Sequence, residues 1–119
     1  MWALVGAFGA AGTYARVRVT AGVDRCSGIH FPLGTLTVNI AGGFALGIVY
    51  GAHAAPDVVV IAGGGLLGGF TTFSTWMLDT EVLAREVGTA WAALNLVVPA
   101  LVGLVATAAG WALGRLLVG

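Results

Sequence analysis

Three runs of this chain, residues 33–53, 58–78 and 89–113, contain no charged side chain, and nothing else in the sequence constrains the fold as strongly. Each is long enough to cross the hydrocarbon core of a bilayer, which takes about 20 apolar residues in a helix. A fourth apolar run fills residues 1–19 and ends at Arg16 and Arg18, whose stems can carry their charges to the interface. Lipid offers no partner to backbone N–H and C=O groups, so such runs must be helical. The expected fold is an all-α membrane protein of one domain, 1–119. It has four transmembrane helices, at about 1–19, 33–53, 58–78 and 89–113.

Composition excludes the alternatives. Charged residues make up 8% of the chain, against roughly 25% in soluble domains. Five Arg, three Asp and two Glu cannot coat a soluble surface of this length. The net charge is zero and no basic patch interleaves with aromatics, so no nucleic-acid partner is expected. Cys26 has no second cysteine to pair with, and His30 and His53 are isolated in sequence, so no side-chain metal site is expected. No basic segment precedes the first apolar run, and a cleaved signal peptide is not expected.

Residues 20–31, with Asp24, Arg25 and Ser27, read as a polar loop, and Pro32 opens the second span. Residues 54–57 form a tight connection, and Asp79, Glu81, Arg85 and Glu86 mark the next one. With four spans, Arg16, Arg18, Arg25 and Arg85 fall on one side of the membrane and Arg115 on the other. The positive side is ordinarily cytoplasmic, so the termini are expected outside. Gly43 and Gly47 lie on one face of the second span, in the small-residue spacing that lets membrane helices approach closely. Four helices of this size enclose no pathway of their own, so a dimer is expected.

Polar residues inside the spans carry the functional signal. Asn39 lies near the middle of the second span, with Thr35 one turn earlier on the same face. An amide at that depth is costly unless paired. It serves either as an interhelical hydrogen bond or as a donor to an anion on a polar path. In the third span, Gly68-Gly69-Phe70-Thr71-Thr72-Phe73-Ser74-Thr75-Trp76 places four hydroxyls after two glycines. Glycine costs up to about 1 kcal/mol against alanine in a helix interior, and hydroxyls can satisfy backbone groups at a break. A helix broken in mid-membrane is expected, and carbonyls freed at such a break can bind a cation. Phe73 and Trp76 stand one turn apart beside it, and the electropositive edges of aromatic rings can face a small anion.

Three motifs together resemble the Fluc/CrcB fluoride channels over nearly the whole chain. Gly12-Thr13-Tyr14-Ala15-Arg16 is similar to that family's G-A-x-x-R. Residues Gly34-Thr35-Leu36-Thr37-Val38-Asn39-Ile40-Ala41-Gly42 are similar to its G-T-L-x-x-N-x-x-G, and Gly69-Phe70-Thr71-Thr72-Phe73-Ser74-Thr75 to its G-F-T-T-F-S-T. The resemblance implies an antiparallel, dual-topology dimer in a prokaryotic plasma membrane, with two pores and a central structural sodium ion. It implies passive, fluoride-selective conduction that lowers cytoplasmic fluoride, with no enzymatic activity. Thr35, Asn39, Phe73, Ser74, Thr75, Trp76 and Asn95 would line the pore. The backbone carbonyls of Gly68 and Thr71 would hold the sodium. A pore for a small, strongly hydrated anion must replace its water with donors.

The chain departs from the family pattern on one face. Trp76 stands where a second phenylalanine is usual, Asp79 where a glutamate is, and Asn95 and Pro99 where a tyrosine and a serine align. Some members of the family pair two different chains. Together with the arginine bias, this leaves a homodimer and a heterodimer with an oppositely oriented partner both open. Two other functions compete. A small multidrug exporter needs a titratable carboxylate within a span, and the first span has none. A non-conducting structural subunit is the second. An enzyme is not expected, since no nucleophile, base and acid converge in the sequence.

Overall fold

The computed structural model describes residues 1–119. Its regular structure is entirely helical. Helix α1 is Trp2–Ser27 and α2 is Leu33–Gly51. Helix α3, residues 56–70, is composite: an α-turn Pro56–Val58, a π-helical stretch Val59–Leu67 and a closing α-turn Gly68–Phe70. After a break come α4, Ser74–Glu86, and α5, Thr89–Val118.

Two stretches read as connections are helical. Residues 20–27 continue α1, because Asp24 and Arg25 are polar without being helix breakers. The helix stops only at Gly28, which supplies the left-handed cap (φ 63°, ψ 9°). Arg25 lies in its last turn, where a cation complements the helix dipole. Asp79, Glu81, Arg85 and Glu86 likewise lie on α4. Arg85 and Glu81 pair at 2.6 Å across one turn, an exposed contact worth a few tenths of a kcal/mol at most. Gly88, at φ 142°, then turns the chain into α5.

The helices pack as two pairs, α1 with α3 and α2 with α5, and glycine is the reason for both. Gly47 of α2 lies against the Thr107 carbonyl, and Gly110 of α5 lies against the Phe44 carbonyl, so each helix presents a groove to the other. A methyl group at either position would overlap backbone atoms. In the other pair Gly12 faces the Leu66 carbonyl and Gly69 faces the Gly9 carbonyl. Apolar side chains gain little by leaving lipid for protein, so this close backbone contact is what holds membrane helices together.

Only 15 of 119 residues are buried, Val38 the most completely among the apolar ones, and many large apolar side chains of α1 and α5 face outward. Trp2, Leu101, Leu104, Val105 and Leu116 are among them. Leu33–Gly51, Pro56–Glu86 taken through its break, and Thr89–Val118 are long and apolar enough to cross a membrane. Helix α1 is long enough but less apolar, because Arg16 and Arg18 fall within it. The longest dimension, 45 Å, matches a bilayer with its headgroups, about 40–45 Å. The molecule is an all-helical, multi-pass membrane protein.

Candidate functional site

The apolar run Pro56–Glu86 opens where its hydroxyls begin. Thr71 is extended (φ −85°, ψ 162°), and regular helix resumes at Ser74. Asn39 of α2 closes the gap. Its Nδ2 donates to the Thr72 carbonyl at 2.8 Å, and its Oδ1 accepts the Thr72 N–H at 2.8 Å. The side chain thus replaces the neighbouring turn of helix for one residue. The Thr72 hydroxyl accepts the Thr75 N–H at 3.2 Å and so satisfies one of the free donors in the first turn of α4. Thr71 bonds its own hydroxyl back to the Leu67 carbonyl at 3.0 Å.

The break frees carbonyls. The Thr72 N–H that would have bonded Gly68 in a continuous helix points to Asn39 instead. The Gly69 carbonyl takes a long bond from the Thr13 hydroxyl, 3.4 Å. The Thr71 carbonyl accepts from Arg16 Nη1 at 3.2 Å. Arg16, read from sequence as reaching for the interface, is turned inward onto the break. Gly68 and Thr71 therefore present hard oxygen donors of the kind a sodium ion takes, with the Thr71 oxygen already shared by a guanidinium. No group of three His, Cys, Asp or Glu side chains is placed to hold a metal.

Beside the break lies an open cavity of about 360 Å³. Asn39, Gly68, Thr71, Phe73 and Trp76 all line it, and so does Thr72. Phe73 and Trp76 meet edge to face, with centroids 5.8 Å apart and an interplanar angle of 89°. Phe73 is 69% exposed, so its ring is accessible to whatever enters. Asn39 retains one N–H beyond the bond to Thr72.

The other expected site residues lie elsewhere. Thr35 is buried and donates to Asp79 Oδ2 at 2.7 Å. It ties α4 to the N-terminus of α2 and does not line the cavity. Close by, Asp24 accepts the Gly34 N–H at 2.7 Å, an anion placed where the helix dipole favours it. Ser74 and Thr75 follow the break without lining the cavity, and the Ser74 hydroxyl lies 3.4 Å from that of Thr72. Asn95 is 1% exposed and sits between α4 and α5, where its Nδ2 donates to the Thr80 hydroxyl at 2.9 Å. Its backbone carbonyl accepts the Trp76 indole N–H at 2.6 Å.

Thr72 and Arg16 are the site residues that sequence reasoning passed over. Thr72 was visible only as one hydroxyl in a run. Arg16 carried the stronger signal, since an arginine inside a span is a functional candidate by default.

A membrane protein in which the run Pro56–Glu86 is broken, braced by an amide from α2 and flanked by two rings over a cavity, has the interrupted-helix build known from transport proteins. The chain belongs to the CrcB family: the family model described as "CrcB-like protein, Camphor Resistance (CrcB)" matches residues 3–111. Among curated relatives, "Fluoride-specific ion channel FluC 1" of Symbiobacterium thermophilum is 44% identical, over 95% of this chain and 96% of the relative. "Fluoride-specific ion channel FluC 2" of Mycobacterium bovis is 40% identical, covering 92% and 87%. The protein of the same name from Haloarcula marismortui is 40% identical, covering 95% and 92%.

Proposed function

We infer that this chain is a subunit of a passive, fluoride-selective ion channel in a prokaryotic plasma membrane. The observation that carries the reading is the meeting of Asn39, Phe73 and Trp76 on one cavity beside the Thr71–Phe73 break. Donors there are an amide N–H and aromatic ring edges, which hold a small anion without a fixed positive charge that would trap it. The family membership and the names of the relatives support fluoride as the ion.

Four spans and an antiparallel dimer belong to the same reading. Helix α1, with 26 residues, is about 39 Å long at 1.5 Å per residue, which suffices to cross. Its Arg16 has a partner inside the protein, which removes one objection to placing the helix in lipid. The cavity is open and apolar on much of its wall, so a second copy or a similar chain in the opposite orientation would complete it. A sodium ion at the centre of that dimer would use the Gly68 and Thr71 carbonyls and supply structural cross-linking between the two breaks. Exporter chemistry has less support, because Asp79, the carboxylate nearest the cavity residues in sequence, is engaged by Thr35.

The test is fluoride efflux from liposomes containing this chain alone, with chloride as the control anion. Fluoride flux that far exceeds chloride flux supports the reading and makes a different partner chain unnecessary. Flux that appears only when a similar second chain is added assigns the heterodimer. Equal passage of both anions, or none in either arrangement, rejects the reading.

A further inference from the structure

Trp76, Asn95 and Pro99 are bound into one device. Pro99 lies inside α5 and is buried. A proline has no N–H, so the carbonyl four residues earlier in its helix loses its donor. That carbonyl belongs to Asn95, and it is the one that accepts the Trp76 indole N–H at 2.6 Å. The side chain of the same asparagine closes the circuit. Asn95 Nδ2 donates to the Thr80 hydroxyl at 2.9 Å, and that hydroxyl donates to the Trp76 carbonyl at 2.8 Å. Asn95 therefore holds Trp76 at both its ring and its backbone. The ring so held lines the cavity and meets Phe73 edge to face.

We propose that Pro99 is a positioning residue for Trp76: by withholding its N–H it leaves the Asn95 carbonyl as a fixed acceptor, and the anchored indole sets the width and anion selectivity of the cavity. A phenylalanine at position 76 has no N–H to give, and a residue with an N–H at position 99 would claim the carbonyl for the helix. The three positions make sense only together. The proposal rests on the cavity being the ion path, but the anchoring itself does not.

The test separates the two. The chain has four tryptophans, and Trp76→Phe assigns the Trp76 indole signal in a ¹⁵N spectrum of the detergent-solubilised protein. In Pro99→Ala that signal is expected to move upfield, and its proton to exchange with solvent roughly tenfold faster as the hydrogen bond is lost. Thr80→Val cuts the other arm of the circuit while keeping Pro99. It serves as the second variant should Pro99→Ala fail to fold, and a faster-exchanging Trp76 indole is expected there too. In liposomes, Pro99→Ala and Trp76→Phe are each expected to lower fluoride-over-chloride selectivity, and the double variant to be no worse than the worse single. An indole proton whose shift and exchange are unchanged in folded Pro99→Ala overturns the role of Pro99, and, where that variant does not fold, an unchanged signal in Thr80→Val overturns the anchoring. Additive losses of selectivity overturn the link from Pro99 through Trp76. If the parent protein conducts no fluoride, the functional reading fails while the indole measurements still decide the anchoring.

Discussion

Asn39 and Thr72 are joined through both halves of one amide: the side-chain NH₂ donates to the threonine carbonyl and the side-chain oxygen accepts its N–H, each at 2.8 Å. An asparagine from α2 thereby stands in for a missing piece of helix backbone. The break survives because its exposed peptide has a partner that is itself amide-like, in surroundings where an unpaired peptide group costs several kcal/mol.

Asn39→Asp is expected to abolish fluoride flux. The carboxylate can still accept the Thr72 N–H, but it opposes the Thr72 carbonyl with a second acceptor and adds a negative charge beside the cavity. Asn39→Ala is expected to lose about 1–3 kcal/mol for each orphaned group, read as a lower melting temperature in detergent. Unchanged flux in Asn39→Asp would place the ion path elsewhere.

Arg16→Gln should weaken the same break from the other side. The Thr71 carbonyl loses a charged donor, a bond of roughly 1.5–3 kcal/mol. Liposome flux and thermal stability are expected to fall together. Arg16→Lys should restore them only in part, since an ammonium lacks the extended, planar reach of guanidinium.

Gly47→Ala is expected to destabilise the protein by about 1–3 kcal/mol, because the new methyl would press on the Thr107 carbonyl and the α2–α5 contact must widen. Gly64→Ala is the control, since nothing lies within 4 Å of a Cβ there. Melting curves of the two variants in the same detergent make the comparison. Equal loss in both would remove close packing as the cause.

Thr35→Val and Asp79→Asn should be non-additive in stability, because each removes one partner of the same 2.7 Å hydrogen bond. Thr35→Ser, which keeps the hydroxyl, is expected to melt close to the parent. A Thr35→Val protein that keeps its stability yet loses fluoride selectivity would return Thr35 to the ion path.

Replacement of sodium by a large organic cation tests the carbonyl site. The proposed dimer would then dissociate more readily, as judged by cross-linking in detergent, because in that arrangement the Gly68 and Thr71 oxygens of two facing breaks would repel without a bridging ion. Dimer fraction independent of the cation would leave the Thr71 carbonyl to Arg16 alone.

Much of the architecture is local and therefore legible from residues alone. Uncharged runs dictate helices in lipid, because the backbone has no other way to satisfy itself there, and glycines followed by hydroxyls dictate the break near Thr71. Helix ends were less legible: Asp24 and Arg25 suggested a loop, while the conformational stop came at Gly28.

The sequence by itself determined that the chain lives in a membrane and that the helical run after Pro56 is interrupted near Thr71. Only the tertiary structure decided what each polar group bonds. It put Thr35 on Asp79, turned Arg16 onto Thr71, and linked Trp76 to the carbonyl that Pro99 releases. The physical reason is that hydropathy and propensity act within a few residues along the chain, whereas these partners are 19 to 55 residues apart and meet only when the helices pack.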